Sequence, residues 1–429
     1  MKKNDSDVII IEVATTTLRL IVINKESNKI VATSSVDIDY IKRGIVKDVE
    51  ALTKSIRLLI AETNKTYLNT IKKVVIALSG CALSSISSSA EIKINNKTHV
   101  IDEDIVEEIF RRVENKIPEN ISQNKKIIHL LPQKYKIDGK TVNTNKPLGL
   151  SGNIFELQAL CIFTKKKHLE NILLACEENN LSVEDVIVSE YAYSKNQINE
   201  ADRLAGVCIV NIGGDTSTVI SYEENIPILL EVIPIGSEDI SRDLALGLKI
   251  TLAQAESIKI NPDVELKRLA SELTEVFINK QKANIRRDQR EKAFFLSLQE
   301  KYHEIIYARI IDIFELIQKH LKKIGRDRLL PAGIIIHGGG AMMQDISTIS
   351  KEILHLPTQI KKDTICSRDL CKFKHSQNIC IGNGDTMSIY ATGLFYLDQD
   401  EHDYFINRDR RGFSLLIKNI ISWIRQFLP

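Results

Sequence analysis

Three short stretches carry residue types suited to closing around a polyphosphate. Ala14-Thr15-Thr16-Thr17, entered by Glu12, splits two apolar runs within Val8 to Ile23. About two hundred residues later Gly213-Gly214-Asp215-Thr216-Ser217-Thr218 follows Val207 to Ile212, entered by Asn211, and precedes Val219-Ile220. The third, His337-Gly338-Gly339-Gly340-Ala341, follows the apolar run Gly333 to Ile336 and opens a helix expected around Asp345 to Ile353. Glycine has no Cβ to hold off a ligand, so backbone N–H groups and short hydroxyl side chains can wrap phosphate oxygens. A single Gly-Gly between strands is more often only a tight turn. Two such turns and a third glycine run make a nucleotide cleft the better reading.

These turns need strands to hold them. The apolar runs of four to six residues beside each turn read as strands. Periodic segments at Asp48 to Asn64, His168 to Asn179 and Ser297 to Lys323 read as helices, and alternation of the two kinds predicts an α/β architecture. The returning strand-turn-strand pattern predicts an internal duplication and two related lobes facing a cleft. At 429 residues one core is too few. Lys and Arg number 58 against 56 Asp and Glu, a net charge of +2, which leaves no case for bulk electrostatic binding of nucleic acid. Val8 to Val13 is too short for a secretory leader's apolar core, so a cytoplasmic protein is expected. Seven scattered cysteines fit reduced thiols. Cys366, Cys371, His375 and Cys380 offer four metal-ligand types, but their spacing matches no common structural zinc site, and loop cysteines are the plainer reading.

The end of the chain differs from the rest. An acidic stretch, Asp398 to Asp403, and Arg408, Arg410 and Arg411 precede an apolar segment beginning near Gly412. On a helical wheel Phe413, Leu416, Ile417, Ile420, Ile421, Trp423, Ile424, Phe427 and Leu428 share one arc, with Lys418 and Arg425 opposite. The segment is shorter than the roughly twenty residues that span a bilayer. It reads as a helix lying in a membrane interface, with the arginines meeting anionic lipid; a last core helix docked on the body is the alternative.

The first two turns resemble the phosphate motifs, and Gly338–Ala341 the adenosine motif, of the actin, hexokinase and 70-kDa chaperone superfamily. Asn211, where that superfamily normally has Asp, and Asp215 and Ala14, where glycine is usual, are departures. They suit binding better than hydrolysis, because Asn211 cannot hold a metal-bound water as a carboxylate does and Asp215 adds negative charge beside a polyphosphate. Within the superfamily the chain resembles the FtsA cell-division family over nearly its whole length. The most specific stretch is Ile128 to Gln133, Tyr135 to Gly139 and Asn145 to Gly152; Gly44-Ile45-Val46, Ser79-Gly80, Gly236 with Asp243, and Leu298-Gln299 leading to Arg309 also look like family positions. Glu256 and Lys259, three apart on an expected helix Leu252 to Ile260, fit a surface ion pair by spacing; likeness to the family's A-E-x-I-K stretch implies ribose contact.

The resemblance implies an actin-like two-lobed α/β fold with duplicated core domains, an FtsA-type 1C insertion and a C-terminal amphipathic helix. It divides the chain into subdomain 1A (1–83 and 163–195), 1C (84–162), 2A (196–243 and 331–396), 2B (244–330), a linker (397–411) and a membrane-targeting helix (412–429). It implies ATP, with Mg2+, held by Glu12, Thr15, Thr16, Thr17, Asn211, Gly213, Gly214, Thr216, Gly236, Glu256, Lys259, Gly338, Gly339 and Gly340, and no catalytic residue. Implied partners are the FtsZ C-terminal peptide at 2B, other divisome proteins through 1C, further copies of the chain, and the cytoplasmic face of the inner membrane at the septum. Arg286, Arg287 and Arg309 are the candidate contacts for an acidic peptide, with solvation or packing the plainer role for any one of them taken singly. An actin-like pilus-assembly protein and a sugar or acid kinase are the rivals. A kinase needs a carboxylate base near the second phosphate turn, and none is evident from Asn211.

Overall fold

The computed structural model describes residues 7–95, 99–142, 147–281, 287–361 and 384–398. The first lobe begins with β1 (Asp7–Val13) and β2 (Thr17–Asn24), antiparallel from Asp7 opposite Asn24 to Val13 opposite Leu18, and β3 (Lys29–Asp37) continues the meander. A short pair, β4 (Ile41–Lys42) and β5 (Ile45–Val46), precedes α1 (Val49–Thr63). The Asp48 carboxylate accepts from the Ala51 N–H at 3.0 Å and so caps that helix. Leu52, Ile56 and Leu59, one helical stripe, are its buried face. The crossover lets β6 (Lys73–Leu78) pair parallel to β1.

An inserted unit then folds around its own core. Strands β7 (Leu83–Lys93), β8 (Lys125–Ile137), β9 (Lys140–Val142) and β10 (Ile154–Lys165) form an antiparallel sheet in the order β7-β10-β8-β9, with α2 (Glu103–Asn115) and α3 (Glu119–Ser122) between β7 and β8. Val106, Ile109 and Val113 of α2 pack with Phe155, Leu157 and Phe163 of the sheet. The chain returns through α4 (Lys166–Glu178) to β11 (Ser182–Val188), completing a five-stranded sheet β11-β6-β1-β2-β3. Helices α5 (Ser189–Gln197) and α6 (Glu200–Ala205) lead to the second lobe.

There β12 (Val207–Ile212), β13 (Ser217–Glu223) and β14 (Ile226–Ile233) repeat the antiparallel meander. Four helices follow: α7 (Ser237–Leu248), α8 (Leu252–Ile260), α9 (Pro262–Gln281) and α10 (Arg287–Lys323). After them come β15 (Gly333–His337), α11 (Ile346–Leu354), β16 (Thr358–Ile360) and, beyond a gap, α12 (Gly384–Asp398). The second sheet, β14-β13-β12-β15-β16, has the order and strand directions of the first, with β15 and β16 parallel to β12 as β6 and β11 are to β1. The duplication expected from the turns is therefore a duplication of whole sheets.

Helix α10 starts at Arg287, earlier than the periodic stretch from Ser297 indicates, because Phe294 and Phe295 already pack against the second lobe's core. A single apolar cluster joins the lobes. It runs from β1, β2 and β6 through Tyr191, Ala192 and Tyr193 of α5 and Met387, Ile389 and Phe395 of α12 to Val207, Ile209 and Tyr222.

Candidate functional site

The ends of β1 and β12, each followed by a turn, face one another across a cleft. Glu12, Ala14, Thr15 and Thr16 line it from the first lobe, and Asn211, Gly213, Gly214 and Thr216 from the second. Gly214 sits directly against the opposite turn: a Cβ there would come 3.2 Å from Thr16 Cγ2 and 3.3 Å from Glu238 Oε1. The two hydroxyl-rich turns thus form jaws in close contact, and a side chain at Gly214 would push Thr16 back by a few tenths of an ångström.

The second turn is held from behind by α7. Ser237 N–H donates to Gly213 O at 2.9 Å and Glu238 N–H to Gly214 O at 2.7 Å, so the first amides of the helix grip the turn's carbonyls. Gly236 occupies the N-cap, where a Cβ would lie 2.3 Å from Gly214 O and 2.6 Å from Thr216 N. The constraint on Gly236 is therefore steric, behind the turn. Gly338 has φ +90° and its Cβ would meet Asn211 Oδ1 at 2.2 Å, while a Cβ on Gly340 would meet the Ile212 side chain at 2.4 Å. The third turn, with Gly339 opening a 3-10 turn to Met342, packs on the end of β12 and buttresses the second.

Glu256 and Lys259 pair at 2.8 Å on α8. Lys259 is nearly buried and also donates to Ser237 O at 3.0 Å, and Glu256 Oε2 accepts from Ser241 Oγ. The pair braces α8 against the start of α7. Thr17 begins β2 beside Thr16, their hydroxyls 3.5 Å apart. Of the residues expected to contact nucleotide, Glu12, Thr15, Thr16, Asn211, Gly213, Gly214 and Thr216 meet on the cleft wall; Thr17, Gly236, Glu256, Lys259, Gly338, Gly339 and Gly340 are not part of that wall.

Asp215, between two cleft-lining residues, accepts from the Arg43 N–H of the first lobe and lies 3.5 Å from Arg242. Arg242 also holds Glu238 at 2.9 Å and Asp239 at 2.8 Å. Burial pushes the Glu238 carboxyl up, with Arg242 pulling the other way. The Arg43 loop is itself pinned: a Cβ on Gly44 would fall 2.4 Å from the Gly80 Cα, and both glycines have positive φ. That close backbone approach accounts for Gly44 and Gly80 as a matched pair.

Two carboxylates line the cleft, contrary to the expectation that none stands near the second turn. Glu12 pairs with Arg19 at 3.0 Å. Glu190, in the first turn of α5, is 3% exposed and shares a 2.7 Å hydrogen bond with His337 Nε2 at the end of β15. The His337 ring stacks on Tyr193, centroids 3.7 Å apart. Among the described residues Glu190 Oε2 and Asn211 Oδ1 are buried without a hydrogen-bond partner. Arg19, Ser79, Ser189, Glu190 and Ser388 were not identified by sequence reasoning, and His337 only as the start of a turn. The signal for Glu190 was an acid two residues past the apolar end of β11, Val186-Ile187-Val188.

Arg309 donates to Asp243 at 2.7 Å and Asp312 at 3.2 Å, tying α10 to α7. Arg287 opens α10, and Arg286 lies outside the described residues. So do Asn145 and Lys146, the cluster Cys366, Cys371, His375 and Cys380, and the whole segment 399–429 with Phe413, Leu416, Ile417, Ile420, Trp423, Ile424 and Phe427. Among the described residues no helix is long and apolar enough to cross a membrane, and four cysteines, Cys81, Cys161, Cys176 and Cys208, are free thiols.

A family model described as "Cell division protein FtsA" matches residues 208–378, and one described as "SHS2 domain inserted in FTSA" matches residues 80–163, the stretch that folds as the inserted sheet. The chain belongs to the FtsA family. The FtsA of Pseudomonas aeruginosa is 26% identical over 323 residues, covering 75% of this chain and 73% of that protein. The FtsA of Buchnera aphidicola (subsp. Baizongia pistaciae) is 26% identical over 400 residues, 90% of this chain and 89% of that one. Among solved structures, the "PilM-PilN type IV pilus biogenesis complex" superposes with a TM-score of 0.58 at 15% identity over 91% of this chain and 97% of that chain, a likeness of fold alone. In this FtsA-family protein the duplicated actin-like lobes and the SHS2 insertion account for all three sheets of three or more strands among the described residues.

Proposed function

We propose that this chain is an ATP-binding, self-associating adaptor that tethers FtsZ filaments to the cytoplasmic face of the inner membrane at the division septum and so helps assemble the Z ring. The observation that carries the nucleotide part is the clasp of Thr16 on Gly214, with the orphaned acceptors Glu190 Oε2 and Asn211 Oδ1 inside it. Buried acceptors without donors favour an occupant that brings donors. Water around a Mg2+ ion on ATP would do so, and the Glu190 carboxylate fits that group, while Asn211, an uncharged amide, would add only a neutral acceptor. Bound Mg2+ would offset charge on the phosphates. Glu12, Thr15, Thr16, Gly213, Gly214 and Thr216 would line the phosphates, while Gly236, Glu256, Lys259 and Gly338–Gly340 would set the positions of the turns.

Subdomain 2B, residues 244–330, is the region we assign to the FtsZ C-terminal peptide, with Arg286 and Arg287 as basic contacts. Arg309, engaged by Asp243, would contribute only if an acidic peptide competed for it. Other divisome proteins would meet subdomain 1C, and residues 412–429 would attach the chain to anionic lipid. The membership in the FtsA family supports this reading over a pilus-assembly role. Glu12 is committed to Arg19, and Asn211 stands at the second turn where a kinase needs a carboxylate base, which disfavours a kinase.

A pull-down with and without the FtsZ tail peptide tests the reading. We expect capture by wild type and at least about tenfold weaker capture by R286E/R287E, the loss of about 1.4 kcal/mol or more. Unchanged peptide affinity in the double variant would remove those arginines from the interface.

A further inference from the structure

Asp215 follows Gly214 and precedes Thr216, both on the cleft wall, and its side chain crosses to the other lobe. Oδ2 accepts from the Arg43 N–H in the turn between β4 and β5, while Oδ1 lies 3.5 Å from Arg242 of its own lobe. Both ends of this link are fixed. In the second lobe the Ser237 and Glu238 amides grip the carbonyls of Gly213 and Gly214, and a Cβ on Gly236 would strike Gly214 O at 2.3 Å. In the first lobe Arg43 O accepts from the Cys81 N–H at 2.9 Å, and the backbones of Gly44 and Gly80 are in contact. Neither end is free to follow the other, so parting the jaws breaks the bond.

We propose that Asp215 is a positioning residue that latches the second phosphate turn to the Arg43 loop, holding the jaws closed on bound nucleotide and slowing its release. The proposal rests on the nucleotide reading above. A tie made only in the closed form lowers the population of the open form by its own free energy, and a ligand that leaves through the open form leaves more slowly by the same factor. An ionised acceptor makes this tie stronger than a neutral one. Asp215 is buried but Arg43 is exposed, so water can take over both partners when the bond opens, and the latch is reversible. The Glu190–His337 bond and the shared apolar base join the lobes elsewhere, which makes the opening a local parting of the jaws.

Charge alone predicts the opposite sign. Removing an acid from a turn that meets a polyphosphate relieves repulsion, which would hold the nucleotide longer. Faster release on losing Asp215 therefore separates a latch from a charge effect.

The test uses the full chain with Mg2+ and a fluorescent ATP analogue, chased by unlabelled ATP, together with amide exchange over residues 39–47 in the absence of nucleotide and the urea midpoint of each variant. D215A removes the acceptor, and D215G serves if D215A does not fold. We expect D215A to release the analogue at least about tenfold faster than wild type, the scale of one hydrogen bond to a charged group, and to exchange the Arg43 amide faster by a similar factor. D215N, which keeps an oxygen for that amide, should recover most of the slow release and slow exchange. R242Q, which leaves the Arg43 contact in place, should release within about threefold of wild type. Wild-type release by folded D215A would overturn the proposal, as would release by D215N as fast as by D215A, which would assign the effect to the charge and not to the Arg43 amide. If wild type fails to bind the analogue, the nucleotide reading falls, and the exchange rates alone decide the latch: unchanged exchange in D215A would overturn it as well.

Discussion

Two buried histidines make the first lobe sensitive to acid. His129 Nε2 accepts from the Val188 N–H at 3.1 Å and His168 Nδ1 from the Val46 N–H at 3.3 Å, so both are held neutral. Desolvation pulls each down to about 4. A group with a depressed cationic pKa favours the folded state while neutral. The unfolded chain gains the proton first, below its ordinary value near 6.5, and the native protein loses stability as pH falls from there toward 4. On the order of 2 kcal/mol per histidine should go between pH 6.5 and pH 5. Urea midpoints at those two pH values check this. H129Q/H168N keeps an acceptor at each position without a titrating ring and should flatten the slope; an unchanged slope would mean that neither histidine governs it.

At the level of elements, caps and stripes explain which helices form, as Asp48 and Asp102 do for α1 and α2. The terminal segment 412–429 carries such a stripe without a described surface to bury it on. Nine large apolar residues share its arc, each worth roughly 1.5–3 kcal/mol when fully buried, so partial insertion would exceed the cost of ordering a short helix at the interface. Attachment should be stronger on anionic than on neutral vesicles and only partly weakened by salt, since screening leaves the apolar contribution intact. W423E/F427E should leave the protein in the soluble fraction in vesicle flotation. If it floats like wild type, the segment is a packed helix and not an anchor.

For the whole molecule, the cleft is where the two sheets are pulled together. Asp215 reaches the Arg43 loop, Thr16 meets Gly214, and Glu190 meets His337, all bridging between lobes that also share an apolar base. A ligand seated there contacts both lobes and should stabilise the native state by mass action, about 2.7 kcal/mol at a hundredfold excess over Kd. Thermal unfolding with and without Mg2+-ATP checks this. G236A, whose Cβ would push against Gly214 O, should abolish the ATP-dependent rise. A rise of wild-type size in G236A would show that the second turn does not hold the phosphates.

Local pattern was enough for much of the architecture. The apolar runs beside each turn, the 3.6-residue stripes and the reappearance of a strand-turn-strand unit two hundred residues apart are properties of neighbouring residues, and they determined the α/β class, the duplication and the two jaws of the cleft. The stretch Ile128 to Gly152 determined the family resemblance. The partners of the charged groups were decided only in three dimensions. Asp215 read in the sequence as a charge in the second turn; that its partners are the Arg43 N–H and Arg242 was not legible there. Glu190 and His337 are 147 positions apart and nothing local links them. Only parallel pairing of β6 and β11 with β1, and of β15 with β12, brings the end of β11 opposite the end of β15. Sheet topology sets those neighbours, because a strand's pairing partner is chosen by burial of a whole face and not by the few residues at its tip.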